Sequence, residues 1–301
     1  MAEEKNNFIT DKCGVVILNY NSHNLTVSLA EKIAGFESVS DICVVDNNSN
    51  DNFDSDFNHP KIHYIKNNIN SGYSAGNNVG LRYLVEEKKC EYVFIANPDV
   101  IFGENSICVM RDAFKNDSRL ALVSTKRFGH SGAKIHQYFD FPSVSTSVKR
   151  CFFLSRRKFE QNRKKAQNEA VASANKLLYV DAVPGAFFGI RSSFLKENNY
   201  LYEGIFLYGE ELILGRQAFN MGYRAAVLNE AEYIHDHEQK RFSNRKMFWY
   251  DRKSLKIYYK MFEHLNVFKK ILLNIAIVLG TAEYNCMYFI YKLLNGLRGN
   301  K

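Results

Sequence analysis

The carboxylate best placed for chemistry is Asp99, which closes the segment VFIANPDV at residues 93–100. A buried strand followed by a sharp turn holds such a side chain rigidly. One carboxylate, phosphate oxygens of a ligand and water can together complete the octahedral shell of Mg²⁺ or Mn²⁺. An ion there would neutralise charge on a departing phosphate group. The turn itself is common, so Asp99 requires support from other residues.

A pair of adjacent carboxylates, Glu210 and Glu211, begins a predicted helix that ends at Gly222. The helix dipole favours acidic residues at this position, so a purely structural role stays open. In the functional interpretation, one glutamate accepts the proton of an attacking hydroxyl as a general base. The other glutamate would orient that acceptor.

The segment YIHDHEQ places His235, Asp236 and His237 in the loop after a predicted strand at residues 225–228. A lone histidine is usually structural. Imidazole nitrogen nevertheless suits Mn²⁺, so His235 is predicted as a second metal ligand, which leaves the other histidine for a phosphate.

A fourth segment, NNINSGYSAGNNVG at residues 67–80, is rich in Asn and Gly. Gly72 and Gly76 let the backbone approach a ligand closely, and the helix that follows directs its N-terminal amides at that ligand. The segment matches neither GxGxxG nor GxxxxGK. A Rossmann dehydrogenase or a P-loop enzyme is therefore not indicated.

The elements that must position these residues alternate between strands and helices. Strands are predicted at residues 15–18, 42–45, 62–65, 92–96 and 120–124, and helices at 25–34, with Asn24 as N-cap and Gly35 as stop, and at 75–87. This order predicts a mostly parallel sheet covered by helices, with ligands at the carboxyl ends of its strands. Polar clusters follow the strands at residues 19–22, 46–49 and 97–99. Such residues also form turns, but three clusters in register favour a binding site.

Composition narrows the class of partner. The chain has 301 residues, a formal net charge of +8 and a pI near 9.0, which favour an anionic partner. Nucleic acid is not expected, because no recognition motif accompanies the basic residues. The six cysteines show no CxxC spacing, so we expect reduced, mostly buried thiols and a cytoplasmic location. The acidic N-terminus predicts no export signal.

Two regions of the sequence combine basic and apolar residues, which is typical of segments that contact a membrane surface or another protein surface. The basic, aromatic segment at residues 149–165 fits either a solvated helix or loop, or a patch for anionic lipid or acceptor phosphate. After residue 245, two or three helices are predicted, with lysines flanking apolar faces, which suits a membrane interface as well as packing on the main domain or in a homodimer. The longest apolar run, residues 271–279, is too short to span a bilayer.

Taken together, the motifs resemble the inverting family-2 glycosyltransferases of GT-A fold, especially their rhamnosyltransferase-like and galactofuranosyltransferase-like branch. The resemblance covers residues 13–262 and rests on the ordered segments VVILNYNS, VVDNNSND, NNINSGYSAGNNVG, ANPDV, VPGAFFGIRSSFL, FLYGEELILGRQAFNMGYR and YIHDH. It implies a catalytic domain at residues 1–244 with a basic insert at 127–178, and a helical region at 245–301. It also implies a nucleotide-diphospho-sugar donor, a divalent metal, and a glycan or lipid-linked acceptor. A peripheral position at the inner face of the cell membrane is expected.

The resemblance assigns roles residue by residue. Asn19 and Asp46 would contact the base and ribose of the donor, and Asn70, Gly72 and Asn77 would line the nucleotide pocket. Asn97 and Asp99 would form the DxD-like motif, with His235 as the metal-binding histidine. Gly185 and Ala186 would border donor sugar and acceptor, and Glu211 would be the base, beside Glu210.

Two positions depart from the family pattern. The family usually has a further aspartate two residues after its Glu-Asp pair, where this chain has Ile213, and Asn97 replaces the first aspartate of the metal motif. The missing carboxylate motivates an alternative hypothesis, a non-catalytic protein that binds a nucleotide-sugar or carbohydrate on the same fold.

Overall fold

The computed structural model of the protein describes residues 11–51, 57–236 and 245–298. The strands are β1 (Cys13–Asn19), β2 (Asp41–Asp46), β3 (Ile62–Lys66), β4 (Tyr92–Ala96), β5 (Val100–Phe102), β6 (Leu120–Gly129), β7 (Leu177–Val180), β8 (Phe187–Arg191) and β9 (Arg224–His235). The helices are α1 (His23–Ala34), α2 (Tyr73–Arg82), α3 (Glu104–Asn116), α4 (Val144–Cys151), α5 (Phe153–Ser173), α6 (Ser192–Glu197), α7 (Glu210–Asn220), α8 (Arg245–Phe262) and α9 (Val267–Arg298).

Half of the sheet is the parallel arrangement that the alternating pattern predicts. Strands β3, β2, β1 and β4 lie side by side in this order, and each pairs in parallel with its neighbour. Strands β1, β2 and β4 are buried along almost their whole length, because helices cover both faces. Their carboxyl ends therefore share one edge, where the polar clusters follow.

The other half of the sheet is mixed. Strand β8 is antiparallel to both β4 and β6, whereas β6 is parallel to β9. Strands β5 and β7 pair antiparallel with β9. The α/β class with a central sheet flanked by helices is confirmed. Strand direction beyond β4 was not predictable, because apolar runs carry no information on direction.

Local boundaries differ from the sequence prediction at three points. Helix α1 begins at His23 with Ser22 as N-cap, so Asn24 lies inside the helix, while Gly35 is the C-cap as predicted. Helix α2 is continued by a π-helical turn at Tyr83–Glu87. Strand β9 continues through a register irregularity to His235, which therefore lies on a strand and not in a loop.

The segment at residues 149–165 is largely helical, which both of its interpretations allow. It spans the end of α4 and most of α5. All six cysteines are unpaired, and Cys13, Cys43, Cys90 and Cys151 are buried, which confirms the expectation of mostly buried thiols.

The C-terminal region forms two helices. Residues Ile205, Ile213 and Tyr258 form one buried cluster, so α8 packs directly on α7. The predicted boundary after residue 244 stays a prediction. Helix α9 is long and apolar enough, by length and composition alone, to cross a membrane. This differs from the expectation based on the run at residues 271–279, because polar residues spaced along a helix interrupt a run without ending the helix.

Candidate active site

The carboxyl ends of β1 and β2 meet in a hydrogen-bond network around Asn19 and Asp46. Asn19 Nδ2 donates to Asp46 Oδ1 at 3.2 Å and to Ser49 Oγ at 2.9 Å, and its Oδ1 accepts from Thr26 Oγ1 at 2.8 Å. The second carboxylate oxygen, Asp46 Oδ2, is buried and has no hydrogen-bond partner in the described part of the chain. A buried acceptor without a partner is costly, so Oδ2 has the capacity to accept from a ligand while Asn19 holds the side chain in place, and the donor contact of Asp46 stays a prediction.

The next cluster ties β2 to the start of α2. Asn47 Nδ2 donates to Asn70 Oδ1 at 3.0 Å and to the carbonyl of Gly72 at 3.3 Å, and the Gly72 amide donates to the same Asn70 oxygen at 3.0 Å. Gly72 has φ of +98°, and a Cβ there would lie 2.3 Å from the carbonyl oxygen of Phe206. Only glycine fits this turn. The sequence prediction missed Asn47, although it lies in the polar cluster at residues 46–49.

Helix α2 connects this cluster with the second half of the site. Asn77 is fully buried and donates from Nδ2 to the carbonyl of Tyr73 at 3.0 Å. Asn77 therefore lies within the packing of α2, and its nucleotide contact stays a prediction. The Tyr73 hydroxyl donates to the carbonyl of Gly185 at 2.5 Å. Burial raises the pKa of Tyr73 well above its ordinary value, so the hydroxyl stays a neutral donor.

The structure brings the two predicted metal ligands together. His235 Nε2 lies 3.3 Å from Asp99 Oδ1, because β5 and β9 pair antiparallel with Val100 opposite His235. The amide of Asp236 donates to the carbonyl of Asp99 at 2.9 Å and fixes the turn. The remaining histidine of the segment, His237, lies outside the described residues.

Arg127 is a site residue that the sequence analysis missed. Its Nη2 lies 3.3 Å from His235 Nδ1. A guanidinium only donates, so this contact uses the Nδ1 lone pair, whereas a metal ion on Nε2 would require the ring proton at Nδ1 instead. The Nε of Arg127 is buried without a hydrogen-bond partner among the described residues. The predicted strand ended at residue 124, whereas β6 continues to Gly129 and carries Arg127 into the site.

The backbone of Arg127 is clamped by the buried side chain of Gln137. The Arg127 amide donates to Gln137 Oε1 at 2.8 Å, and Gln137 Nε2 donates back to the Arg127 carbonyl at 2.7 Å. Gln137 also binds Asn168 of α5 at 3.1 Å. Helix α5, through Asn168 and Gln137, therefore helps to fix the Arg127 guanidinium beside His235.

The glutamate pair follows a strained turn. Tyr208 and Gly209 both have left-handed backbone, with φ of +69° and +91°, which is unfavourable for tyrosine. The turn directs the start of α7 at the loop before β8, where Glu211 Oε1 accepts from the amide of Gly185 at 3.2 Å. A Cβ on Gly185 would lie 2.7 Å from that oxygen, so a larger residue would displace the Glu211 carboxylate.

The same pair has perturbed acidity. Burial, and secondarily the charge of Glu211, raise the pKa of Glu210 to about 8. Burial also raises the pKa of Glu211, against the opposing effect of backbone amides and of the Arg127 charge. Glu210 Oε1 is buried and makes no hydrogen bond within the described ranges. A carboxyl group of raised pKa is suited to proton transfer near neutral pH.

Short backbone contacts connect Glu211 to the predicted metal ligands Asp99 and His235. Gly185 binds Glu211, and the carbonyl of the next residue, Ala186, accepts from the amide of Asn97 at 2.8 Å. Asn97 begins the turn that contains Asp99. The predicted catalytic, sugar-bordering and metal-binding residues thus lie on adjoining backbone segments, although their roles stay predictions.

Comparison with known proteins decides the family. The model of Glycosyl transferase family 2 matches residues 14–183, more than half of the chain. The chain belongs to glycosyl transferase family 2. It is accordingly a glycosyltransferase, and the coarser part of the resemblance drawn from the motifs is confirmed.

A curated relative agrees with this family. The chain is 26% identical over 236 residues to the low-salt glycan biosynthesis hexosyltransferase Agl10 of Haloferax volcanii, covering 78% of this chain and 71% of the relative. The relative is by its name a hexosyltransferase of glycan biosynthesis, at an identity that leaves the substrates of this chain open.

Solved structures confirm the GT-A fold. A mannosyltransferase, PcManGT of Pyrobaculum calidifontis in complex with GDP-Man and Mn²⁺, aligns with TM-score 0.57 and 14% identity over 91% of this chain and 73% of its own. GalNAc-T7 with UDP, GalNAc and Mn²⁺ aligns with TM-score 0.57 and 11% identity over 83% of this chain. This chain spans 47% of the length of GalNAc-T7.

Proposed function

We propose that the protein is a metal-dependent, inverting hexosyltransferase that moves a sugar from a nucleotide-diphosphate donor to a hydroxyl of a glycan or lipid-linked acceptor. The observation that carries the proposal is the connection of Glu211 through Gly185 and Ala186 to the turn that presents Asp99 beside His235. The hexosyltransferase relative supports the reaction class. The motifs of this chain favour the rhamnosyltransferase-like and galactofuranosyltransferase-like branch and a role in cell-surface polysaccharide synthesis.

The donor set fits a divalent ion shared with a diphosphate. Asp99 and His235 converge within 3.3 Å, and among the described residues no three His, Cys, Asp or Glu side chains form a closed metal cage. Two protein ligands leave room for phosphate oxygens and water, as Mg²⁺ and Mn²⁺ prefer. Mn²⁺ and nucleotide ligands occur together in both structural neighbours. A bound ion would supply positive charge for the departing diphosphate.

The residues of the chain divide the remaining work. Glu211 accepts the proton of the acceptor hydroxyl while the hydroxyl oxygen forms its bond to the anomeric carbon. The bond from that carbon to the diphosphate oxygen breaks on the opposite face, which inverts the centre. Arg127 adds a fixed positive charge beside His235, and Glu210 orients the acceptor.

The surroundings of the enzyme are part of the proposal. An acceptor held in a lipid bilayer requires an enzyme at the inner face of the cell membrane, and α9 supports this location by its length and apolar composition. Self-association through the C-terminal helices is the competing use of the same residues.

A donor panel tests the proposed function. UDP-, GDP- and dTDP-sugars are added with and without Mn²⁺, and the melting temperature is measured. We expect one nucleotide class to raise the melting temperature only with the metal, because a ligand of the folded state stabilises it. The matching donor is then incubated with acceptors, and NMR of the product reports the anomeric configuration. Stabilisation without any transfer or donor hydrolysis would favour the non-catalytic alternative, and a retained configuration would exclude the single displacement.

A further inference from the structure

Helix α9 exposes an apolar face, here named the C-terminal stripe. Its large hydrophobic residues are between 40% and 74% exposed and comprise Val267, Phe268, Ile271, Leu272, Ile275, Val278, Leu279, Phe289 and Ile290. With successive residues about 100° apart, these positions fall within an arc of about 140°. No charged residue belongs to this arc. An exposed apolar surface of this extent on a soluble body marks an interaction site.

The opposite face of α9 is fastened to the body of the protein. Leu273, Ala276 and Ile277 are buried with Cys151 and Tyr259 in one cluster. At Gly280, a Cβ would lie 2.2 Å from the carbonyl oxygen of Cys151, so α9 crosses the end of α4 in direct contact. The helix therefore exposes only one side to its surroundings. A spanning orientation would also move the charged residues of the attached α4 and α8 into hydrocarbon, which is unfavourable.

Positive charge borders the stripe. Lys269, Lys270 and Lys292 are exposed on α9 outside the arc, where the partly exposed Glu283 is an acidic neighbour, so basic residues outnumber acidic ones. An apolar face with a basic rim matches the interface of an anionic bilayer, where acyl chains lie beneath negatively charged headgroups.

Helix α8 connects α9, which carries the C-terminal stripe, to α7. The rings of Phe248 in α8 and Tyr284 in α9 stack with centroids 4.2 Å apart. Farther along α8, Tyr258 packs in one cluster with Ile213 of α7. A bilayer in contact with α9 would thus lie at a fixed position relative to α7, which begins with the glutamate pair.

We infer that the C-terminal stripe and its basic rim form one docking surface for an anionic lipid bilayer, with α9 lying in the plane of the headgroups. The inference rests on the proposed function only in its purpose, which is to place the enzyme beside a lipid-linked acceptor. A transmembrane orientation and a second copy of the chain are the competing occupants, and the experiment separates all three.

The test is flotation of the full chain with vesicles of phosphatidylcholine alone or mixed with phosphatidylglycerol. We expect flotation with the mixed vesicles only, weakened by salt because headgroup attraction is screened. In the double variant I275E/V278E the floating fraction should fall at least about tenfold, because two side chains that would enter the apolar part of the bilayer become charged. Both positions are exposed, at 51% and 66%, so the fold should tolerate the change. The control L25E changes an apolar residue of α1 that is 53% exposed and should float normally.

Three outcomes would overturn the inference. The first is flotation that is absent, or equal on neutral and anionic vesicles. The second is resistance of the bound protein to alkaline carbonate extraction, which indicates a spanning helix. The third is a vesicle-free dimer by light scattering that I275E/V278E dissociates while flotation is unchanged. None of these readouts involves a sugar donor, and the donor-induced rise in melting temperature reports separately on the proposed function.

Discussion

The proposed nucleotide side and the proposed catalytic side of the candidate site are built in contrasting ways. On the nucleotide side, at the ends of β1 and β2, Asn19, Asp46, Asn47 and Asn70 bind each other and the nearby backbone. On the catalytic side, at the start of α7, a left-handed turn precedes the glutamate pair. There the pKa of Glu210 is raised to about 8.

Under the proposed function, this difference separates residues that bind the donor from residues that carry out the transfer. A network of side chains that already bind each other is preorganised, so a ligand loses little free energy in ordering it. Buried carboxyl groups are unfavourable for the fold when ionised, and they persist where proton transfer uses them. Variants on the nucleotide side should therefore change donor affinity, while variants on the catalytic side should change turnover and its dependence on pH.

The largest effect is expected for Glu211→Gln. Glutamine still accepts from the Gly185 amide but cannot take the acceptor proton, so turnover should fall by about 10²–10⁴-fold. Donor affinity should change little, because Glu211 lies on the catalytic side. The measurement compares kcat with the donor dissociation constant from calorimetry.

The same variant distinguishes catalysis from a capping role of the glutamate. If Glu211 merely favoured the start of α7 through the helix dipole, the variant would lose stability and retain turnover. Near-normal kcat together with a lowered melting temperature would therefore exclude Glu211 as the base.

A smaller effect is expected for Asp46→Asn on the nucleotide side. The substitution replaces the unpartnered acceptor Oδ2 by a donor, which should weaken donor binding about tenfold, as the loss of one hydrogen bond does. The pH dependence of turnover should stay unchanged. Calorimetry with the donor nucleotide measures the first quantity, and initial rates across pH measure the second.

The opposite end of the same strand offers the control. Asp41 begins β2 and forms ion pairs with Lys12 at 2.9 Å and Lys88 at 3.6 Å, away from the polar clusters. Asp41→Asn should lower stability and leave donor affinity unchanged. Equal losses of affinity in both variants would show that β2 acts through general stability and would remove Asp46 from the nucleotide contact.

The contrast also explains how far the sequence alone leads. The parallel strands were predictable because strands buried on both faces are apolar runs closed by polar turns, as at Asn19 and Asp46. Nearness of Asp99 and His235 followed from the motif resemblance. The contact itself depends on β5 pairing with β9, and no local pattern encodes that long-range register.

What the sequence did not provide depends on tertiary packing. Arg127 was not predicted as a site residue because the polar end of β6 has the sequence pattern of a loop. It is a strand only because it pairs with β9. Ile213 was noted only as a missing carboxylate, yet it is buried against Tyr258 of α8. A position that carries a polar group in the family here attaches the C-terminal helices to α7.

The smallest effect, and the sharpest test of the catalytic side, is expected for Arg127→Gln. The Arg127 charge lowers the pKa of Glu211 against the effect of burial. Removing the charge should raise that pKa, so a larger fraction of the base is protonated at neutral pH. The acidic limb of kcat against pH should move to higher pH, and activity lost at neutral pH should return under alkaline conditions.

The matched variant Arg127→Lys retains the positive charge and should keep the acidic limb close to that of the original protein. A shift in both variants would assign the effect to the lost contact with His235 and not to charge. An equal loss of kcat at every pH in Arg127→Gln would show that the guanidinium acts on the leaving diphosphate without tuning the base. In that case the Arg127 charge would not contribute to the perturbed acidity of the catalytic side.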